Sequence, residues 1–269
     1  MMKKVVLLLL LITAIPIINS EIYGHTFTTD ESVIFLNLVD KLKAHAKLIE
    51  QFILEDDYES AFQHANLIKQ FYSKEINDEI EEKNKRIANE ISSIINTFSS
   101  LQANNMTQSQ ITNTINNLDA VLDESISVRI SEDVLNNSTI QALRLATLVN
   151  DIDISYANSF SIQPYNMSTM SIDQHDQNSS AHASKDIQNQ TSYQTARGLI
   201  APVSELFGSI KTEKEISNPD KVTILNEGFN NLTAIIEMKK PYNEVAKVIH
   251  GIIQPTLQEL YSLKINIEE

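Results

Sequence analysis

An all-α fold, built as one or two up-and-down antiparallel bundles of about eight helices with a flexible polar insert, is predicted by three features of the chain. Apolar residues recur at steps of three and four through almost every segment, the period of one helix face. Only 5 Gly and 6 Pro punctuate 269 residues, and no long run alternates with the period of two that a half-buried strand needs. The third feature is Ser161 to Thr191, a stretch of Ser, Asn, Gln, Asp, His and Met that divides the periodic sequence in two. It has too little apolar surface to offset the entropy of ordering it. The division predicts a signal segment at 1–24, a helical bundle at 25–161, a linker at 162–191 and C-terminal helices at 192–269 that pack on or beside the first bundle.

The N-terminal residues read as a secretory signal: Lys3 and Lys4 precede an apolar run from Val5 to Ile18, which is shorter than the roughly 20 residues of a bilayer span. The region Ser20 to Gly24 holds the expected cut, and no transmembrane span is expected in the mature chain. After that, Thr28 and Glu31 have the spacing of a capping box, and Phe35, Leu38, Leu42, Ala46, Ile49 and Ile53 line one face of a first helix, with Val39 beside them. Glu55-Asp56-Asp57 turns the chain into a second helix from Tyr58 to Tyr72. So short a connection makes the two an antiparallel hairpin.

A third segment, Lys74 to Leu101, keeps its stripe through Ile76, Ile80, Ile87, Ile91, Ile94 and Phe98 but skips a position at Lys83-Asn84, where the helix is polar or bends. Thr107 is placed to cap a fourth helix seamed by Ile111, Ile115, Leu118, Leu122 and Ile126, and Ser138 a fifth seamed by Leu145, Val149, Ile152, Tyr156 and Phe160. Beyond the polar stretch, one stripe runs from Tyr193 to Ile210 and another from Val222 to Ile236. Pro241 suits the first turn of a last helix, which Pro255, behind Gly251, should kink.

Composition restricts function as well. The net charge is −14, and removal of residues 1–24, with Lys3, Lys4 and Glu21, takes it to near −15. The densest basic cluster, Lys83 to Arg86, follows directly on Glu79, Glu81 and Glu82, so nucleic acid is not expected as a partner. With 0 Cys a secreted chain has no disulfides and no thiolate ligands, and its stability must come from packing. Asn-x-Ser/Thr sequons stand at Asn105, Asn136, Asn137, Asn166, Asn178, Asn189 and Asn231, all but the last in predicted loops or the polar stretch, where a glycan disturbs no core.

His25-Thr26-Phe27, the run from Asp78 to Glu90 (DEIEEKNKRIANE), Asn137 to Leu143 (NSTIQAL) and Tyr193-Gln194-Thr195-Ala196 resemble an uncharacterised family of secreted all-helical proteins of ammonia-oxidising archaea (Thaumarchaeota). The resemblance covers most of the mature chain and rests on helix patterns and short words, none of them catalytic. It implies location and lineage, and it makes copper a cofactor to test for by analogy.

There is no nucleophile elbow, no Gly-rich phosphate loop, no HExxH and no Glu-x-x-His pair, so the chain is read as a non-enzyme. The primary expectation is a secreted, acidic helical interaction or scaffold protein with a protein or cell-envelope partner. The alternative is an extracytoplasmic copper-binding or carrier protein. Its candidate ligands are Met167, Met170, His175 and His182 of the polar stretch, thioethers suiting Cu(I) and imidazoles Cu(II), together with His45, His64 and His25. His45 and His64 lie eleven and eight residues from the turn at Asp56, so across the hairpin their heights differ by roughly 4.5 Å and the side chains can meet. His25, as the mature N-terminus, would chelate through its amine and ring. It lies about 22 Å along the helix axis from His45 with an arm of only about 17 Å, so the two cannot share a metal. His250 has no partner that the sequence identifies.

Overall fold

Helix α1 (Glu31–Leu54) runs between two hydrophobic cores, and the rest of the chain is arranged about it. The computed structural model describes residues 31–99, 107–162 and 186–264. Of the 24 residues of α1, 15 are buried, many more than the single stripe of its sequence pattern accounts for. A helix buried on more than one face packs elements on each. One face of α1 packs on α2 (Tyr58–Phe71) and, with α3 (Lys74–Lys83), α4 (Lys85–Ser99) and α5 (Gln108–Arg129), encloses the first core. Val33 and Ala44 enter the second core, formed with α7 (Ser138–Ser159), α8 (Gln190–Gly198), α9 (Ile200–Glu215), α10 (Pro219–Glu237), α11 (Tyr242–Val248) and α12 (Gln254–Tyr261). A short α6 (Glu132–Leu135) joins the two halves.

The described residues are helical without a strand, as the periodicity predicts, but the segmentation is finer than eight helices. The skipped position in the third segment is a break: Asn84 is extended, with its Oδ1 accepting from the backbone of Arg86 and Ile87, and so it ends α3 and starts α4. The stripe from Tyr193 to Ile210 is likewise two helices, parted at Leu199. Here Gly198 approaches α1 so closely that a Cβ would lie 2.7 Å from a methyl of Leu48. The cap of α7 is Asn137, one residue before the expected Ser138, with Oδ1 accepting from Thr139 and Ile140. Thr107 caps α5 as expected, in a full capping box with Gln110. Pro255, where a kink is expected, sits in the first turn of α12. The irregularity of the last helix is one turn of π-helix, Ile249–Ile253, just ahead of the proline. Finally α7, which the sequence assigns to the first bundle, has its seam in the second core.

The burial of α1 takes polar side chains into the interior. Asp40 is held by Arg144 of α7 in a two-pronged pair, Nε to Oδ2 at 2.6 Å and Nη2 to Oδ1 at 2.5 Å. Asn37 donates to Asp151 at 2.8 Å, and Lys41 reaches the same carboxylate at 3.3 Å. Burial raises the Asp40 carboxyl above its ordinary value even though the Arg144 hydrogen bond and charge oppose it, so the pair contributes register more than stability. In the second core tyrosines serve the backbone: Tyr193 donates to the carbonyl of Ile236 at 3.2 Å and Tyr156 to that of Lys240 at 2.6 Å, providing partners at the C-terminal end of α10.

Removing one partner of the buried pair leaves a desolvated charge behind, whereas replacing both with apolar residues does not. Asp40→Ala is therefore expected to destabilise by about 3–5 kcal/mol. The double variant Asp40→Leu/Arg144→Met is expected to match or exceed the native protein, with urea unfolding as the measurement.

Candidate functional site

The hairpin turn places the two central histidines opposite each other. Asp57 caps α2 by accepting from the backbone of Ser60 at 3.0 Å, which fixes where α2 starts and hence the height of His64 against α1. The Nδ1 atoms of His45 and His64 are 2.9 Å apart, as the count along the hairpin anticipates. From the second half of the chain, Gln194 of α8 enters with Oε1 3.1 Å from His64 Nε2 and Nε2 3.2 Å from the Ser60 hydroxyl. The pair is enclosed: His45 is 1% exposed, His64 0% and Gln194 4%. The rings of Phe52 and Phe71 pack against it, Phe52 stacked on His64 at 5.5 Å and Phe71 tilted against His45 at 5.3 Å.

This geometry orders the protons. Gln194 donates to Ser60, so its Oε1 accepts from His64 Nε2–H. The His64 lone pair then lies on Nδ1 and accepts from His45 Nδ1–H. The chain of bonds ends at His45 Nε2, which is buried without a partner. Both rings are held neutral. Burial, aided by the neighbouring His64 and Lys41, lowers His45 to about 3. Burial lowers His64 to about 4 against the opposing Gln194 bond and Asp57 charge.

A second polar cluster, not legible in the sequence, surrounds His250 in the π-helical turn. Its Nε2 is 3.2 Å from Asp153 Oδ2 on α7, its Nδ1 is 2.8 Å from Gln254 Oε1, and Tyr242 donates to the same Asp153 oxygen at 3.3 Å. Burial opposes charge on His250, but the nearby Asp153 carboxylate with the Gln254 bond outweighs it and raises its pKa. Both ring nitrogens face these partners, so the arrangement suits an ion pair between α7 and the last helix and not a proton-transfer dyad open to a substrate. His250 Nε2, at ion-pair distance from Asp153 but without hydrogen-bond geometry, has no hydrogen-bond partner among the described residues, and neither do Asp153 Oδ1 and Gln254 Nε2.

A surface groove of about 460 Å³ lies at the start of α1 over Phe35, Leu38, Phe71 and Ile76. Arg129 covers the Phe35 ring at 4.5 Å and Lys41 the Phe71 ring at 5.2 Å, so both aromatic faces already carry a cation.

Of the ligand candidates, His45 and His64 lie among the described residues, and they come together. His25, Met167, Met170, His175 and His182 lie outside the described residues, as do the sequons Asn105, Asn166 and Asn178. Asn136 is exposed at the end of α6, Asn137 and Asn189 are helix caps, and Asn231 is exposed within α10. No group of three or more His, Cys, Asp or Glu able to hold a metal occurs among the described residues, nor does a helix long and apolar enough to cross a membrane. No protein-family model, curated protein or solved structure matches the chain.

The two histidine systems act on stability with opposite signs. The folded pKa values of His45 and His64 lie below the ordinary value near 6.5, so the unfolded chain takes up more protons in acid. Their contribution is complete above about pH 6.5 and is lost as pH falls toward 4 and then 3. His250, with its pKa raised, contributes fully below about pH 6.5, and that contribution is lost as pH rises through its folded value. Unfolding free energy measured from pH 4 to 6 is expected to fall with acid more steeply in the native protein than in His45→Asn, by up to about 1.4 kcal/mol per pH unit for the proton removed.

Proposed function

We propose that this is a secreted, acidic helical scaffold that presents its polar segment to a protein or cell-envelope partner. The observation that supports the reading is a clamp at the end of α7. The backbone N–H groups of Gln188 and Asn189 both donate to the carbonyl of Ser159, at 2.7 and 3.0 Å, while Ile162 N–H returns to Ala157 at 3.0 Å. Ser161, with φ of 57°, makes the reversal. Ile162 and Ile187 pack against the second core on the two sides of the clamp. Residues 163–185, outside the described residues, thus leave and rejoin the bundle at one place. The linker ends earlier than the composition implies, since Asn189 caps α8 and the helix begins at Gln190.

The clamp is made by backbone groups of residues flanking the segment, so the segment's own side chains are not needed to hold α7 against the start of α8. Their chemistry is therefore free to serve recognition. A net charge of −14 favours a neutral or basic contacting surface on the partner.

Replacing residues 163–185 with a short Gly/Ser linker is expected to leave helix content unchanged and the melting temperature within a few degrees, while abolishing retention of the protein on envelope material from its source cells. Equal retention of the two forms, or collapse of the fold, refutes the display role.

A further inference from the structure

We propose that His45 and His64 form a buried two-coordinate site for a monovalent d10 cation, Cu(I), bound between their Nδ1 atoms. The proposal is independent of the display role of the polar segment. It starts from direction: two imidazole Nδ1 atoms face each other at 2.9 Å inside the protein, each on a different helix of one hairpin. The His64 lone pair is fixed there because Gln194 Oε1 takes the Nε2 hydrogen. A side-chain carbonyl on the far nitrogen is what metal-ligating histidines ordinarily have behind them.

Donor count selects the ion. Zn(II) in a closed site takes four ligands, and Cu(II) prefers a tetragonal set of nitrogen and oxygen donors. Around this pair are Phe52 and Phe71, and no group of three ligating side chains is present among the described residues. Two nitrogen donors in line, in apolar surroundings, satisfy only a closed-shell monovalent ion. With metal–nitrogen bonds of about 2 Å, the separation has to widen by about 1 Å, half an ångström for each side chain.

The protons balance without loss. His45 now holds its hydrogen at Nδ1, and its Nε2 is a buried nitrogen with no partner. When the cation takes Nδ1, that hydrogen moves to Nε2, so both rings remain neutral and no proton leaves.

The pair is covered by α8, where Gln194 bonds Ser60 and His64 and Thr191 bonds Gln63 of α2.

The test is anaerobic titration of the full mature protein with Cu(I) against a chromophoric Cu(I) chelator, with X-ray absorption on the loaded protein. The expected result is one equivalent bound, with two nitrogen neighbours and no others. His45→Asn, whose amide replaces the Nδ1–H donor toward His64, should weaken binding at least a hundredfold. Gln194→Ala should weaken it about ten- to a hundredfold. A variant with Met167, Met170, His175 and His182 all replaced by Ser should keep the equivalent, which separates this site from any in the polar segment. The proposal is overturned by absence of Cu(I) uptake, by His45→Asn binding as the native protein does, by loss of the equivalent in the four-residue variant, or by a coordination number of three or four. Nitrogen NMR of the native protein with Ag(I) as a stand-in answers without any variant: the Nδ1 resonances of His45 and His64 should be the imidazole signals that shift, and their constancy sinks the idea.

Discussion

Placing α1 between two cores is the constraint on which the rest of this structure depends. Polar residues on the covered faces of such a helix cannot turn to water, so Asn37, Asp40 and His45, all buried, must each find a partner on another element. Asn37 and Asp40 find theirs in Asp151 and Arg144 of α7, and His45 in His64 of α2, with Gln194 of α8 behind it. Three side chains on one helix thereby specify the positions of three neighbours. Apolar contact alone, which is non-directional, would leave the sliding and rotation of those helices poorly determined.

These joints differ in what they cost and supply. The Asp40–Arg144 pair takes two charges out of water, and the raised Asp40 carboxyl is the sign of that penalty. The histidine joint avoids it by staying neutral, at the expense of one unpartnered nitrogen. The His250–Asp153 pair keeps a charge beneath the last helix, where one turn of π-helix places the ring over α7. Such π-turns often mark positions where a side chain has been re-aimed at a specific partner. Together the three joints tie α1, α7 and the C-terminal helix into one unit without a disulfide, as a chain with 0 Cys requires.

Much of this is legible in the amino-acid order, and what is not has identifiable physical causes. The stripes from Phe35 to Ile53 and from Tyr193 to Ile210 mark real buried faces because burial against one partner leaves a helical period. The contact of His45 with His64 is predictable because a tight turn at Asp56 and Asp57 makes height a matter of counting. The second buried face of α1 leaves no such trace, since Val33 and Ala44 face a core supplied by residues more than 90 positions away. The same holds for Arg144 with Asp40, 104 residues apart, and for His250 with Asp153. Their pairing follows from which helices are adjacent, and no local spacing encodes that. Asn84 was visible as a skipped stripe position, but whether a helix bends or breaks there turned on its side chain capping the next helix.

The position of α8 connects the two readings of the molecule. Within six residues it carries the Asn189 cap, the Thr191 bond to Gln63 and the Gln194 bonds to Ser60 and His64, while Gln188 and Asn189 close the polar segment on Ser159. One end of the clamp on Ser159 is therefore continuous with the bonds that cover the histidine pair. If a partner engages the segment and a cation the pair, as proposed above, each binding changes the affinity for the other by the same factor, because such coupling is reciprocal. The coupling runs through one short stretch of contiguous side-chain and backbone bonds, and its first link is the pair of nitrogens that α1 was forced to bury.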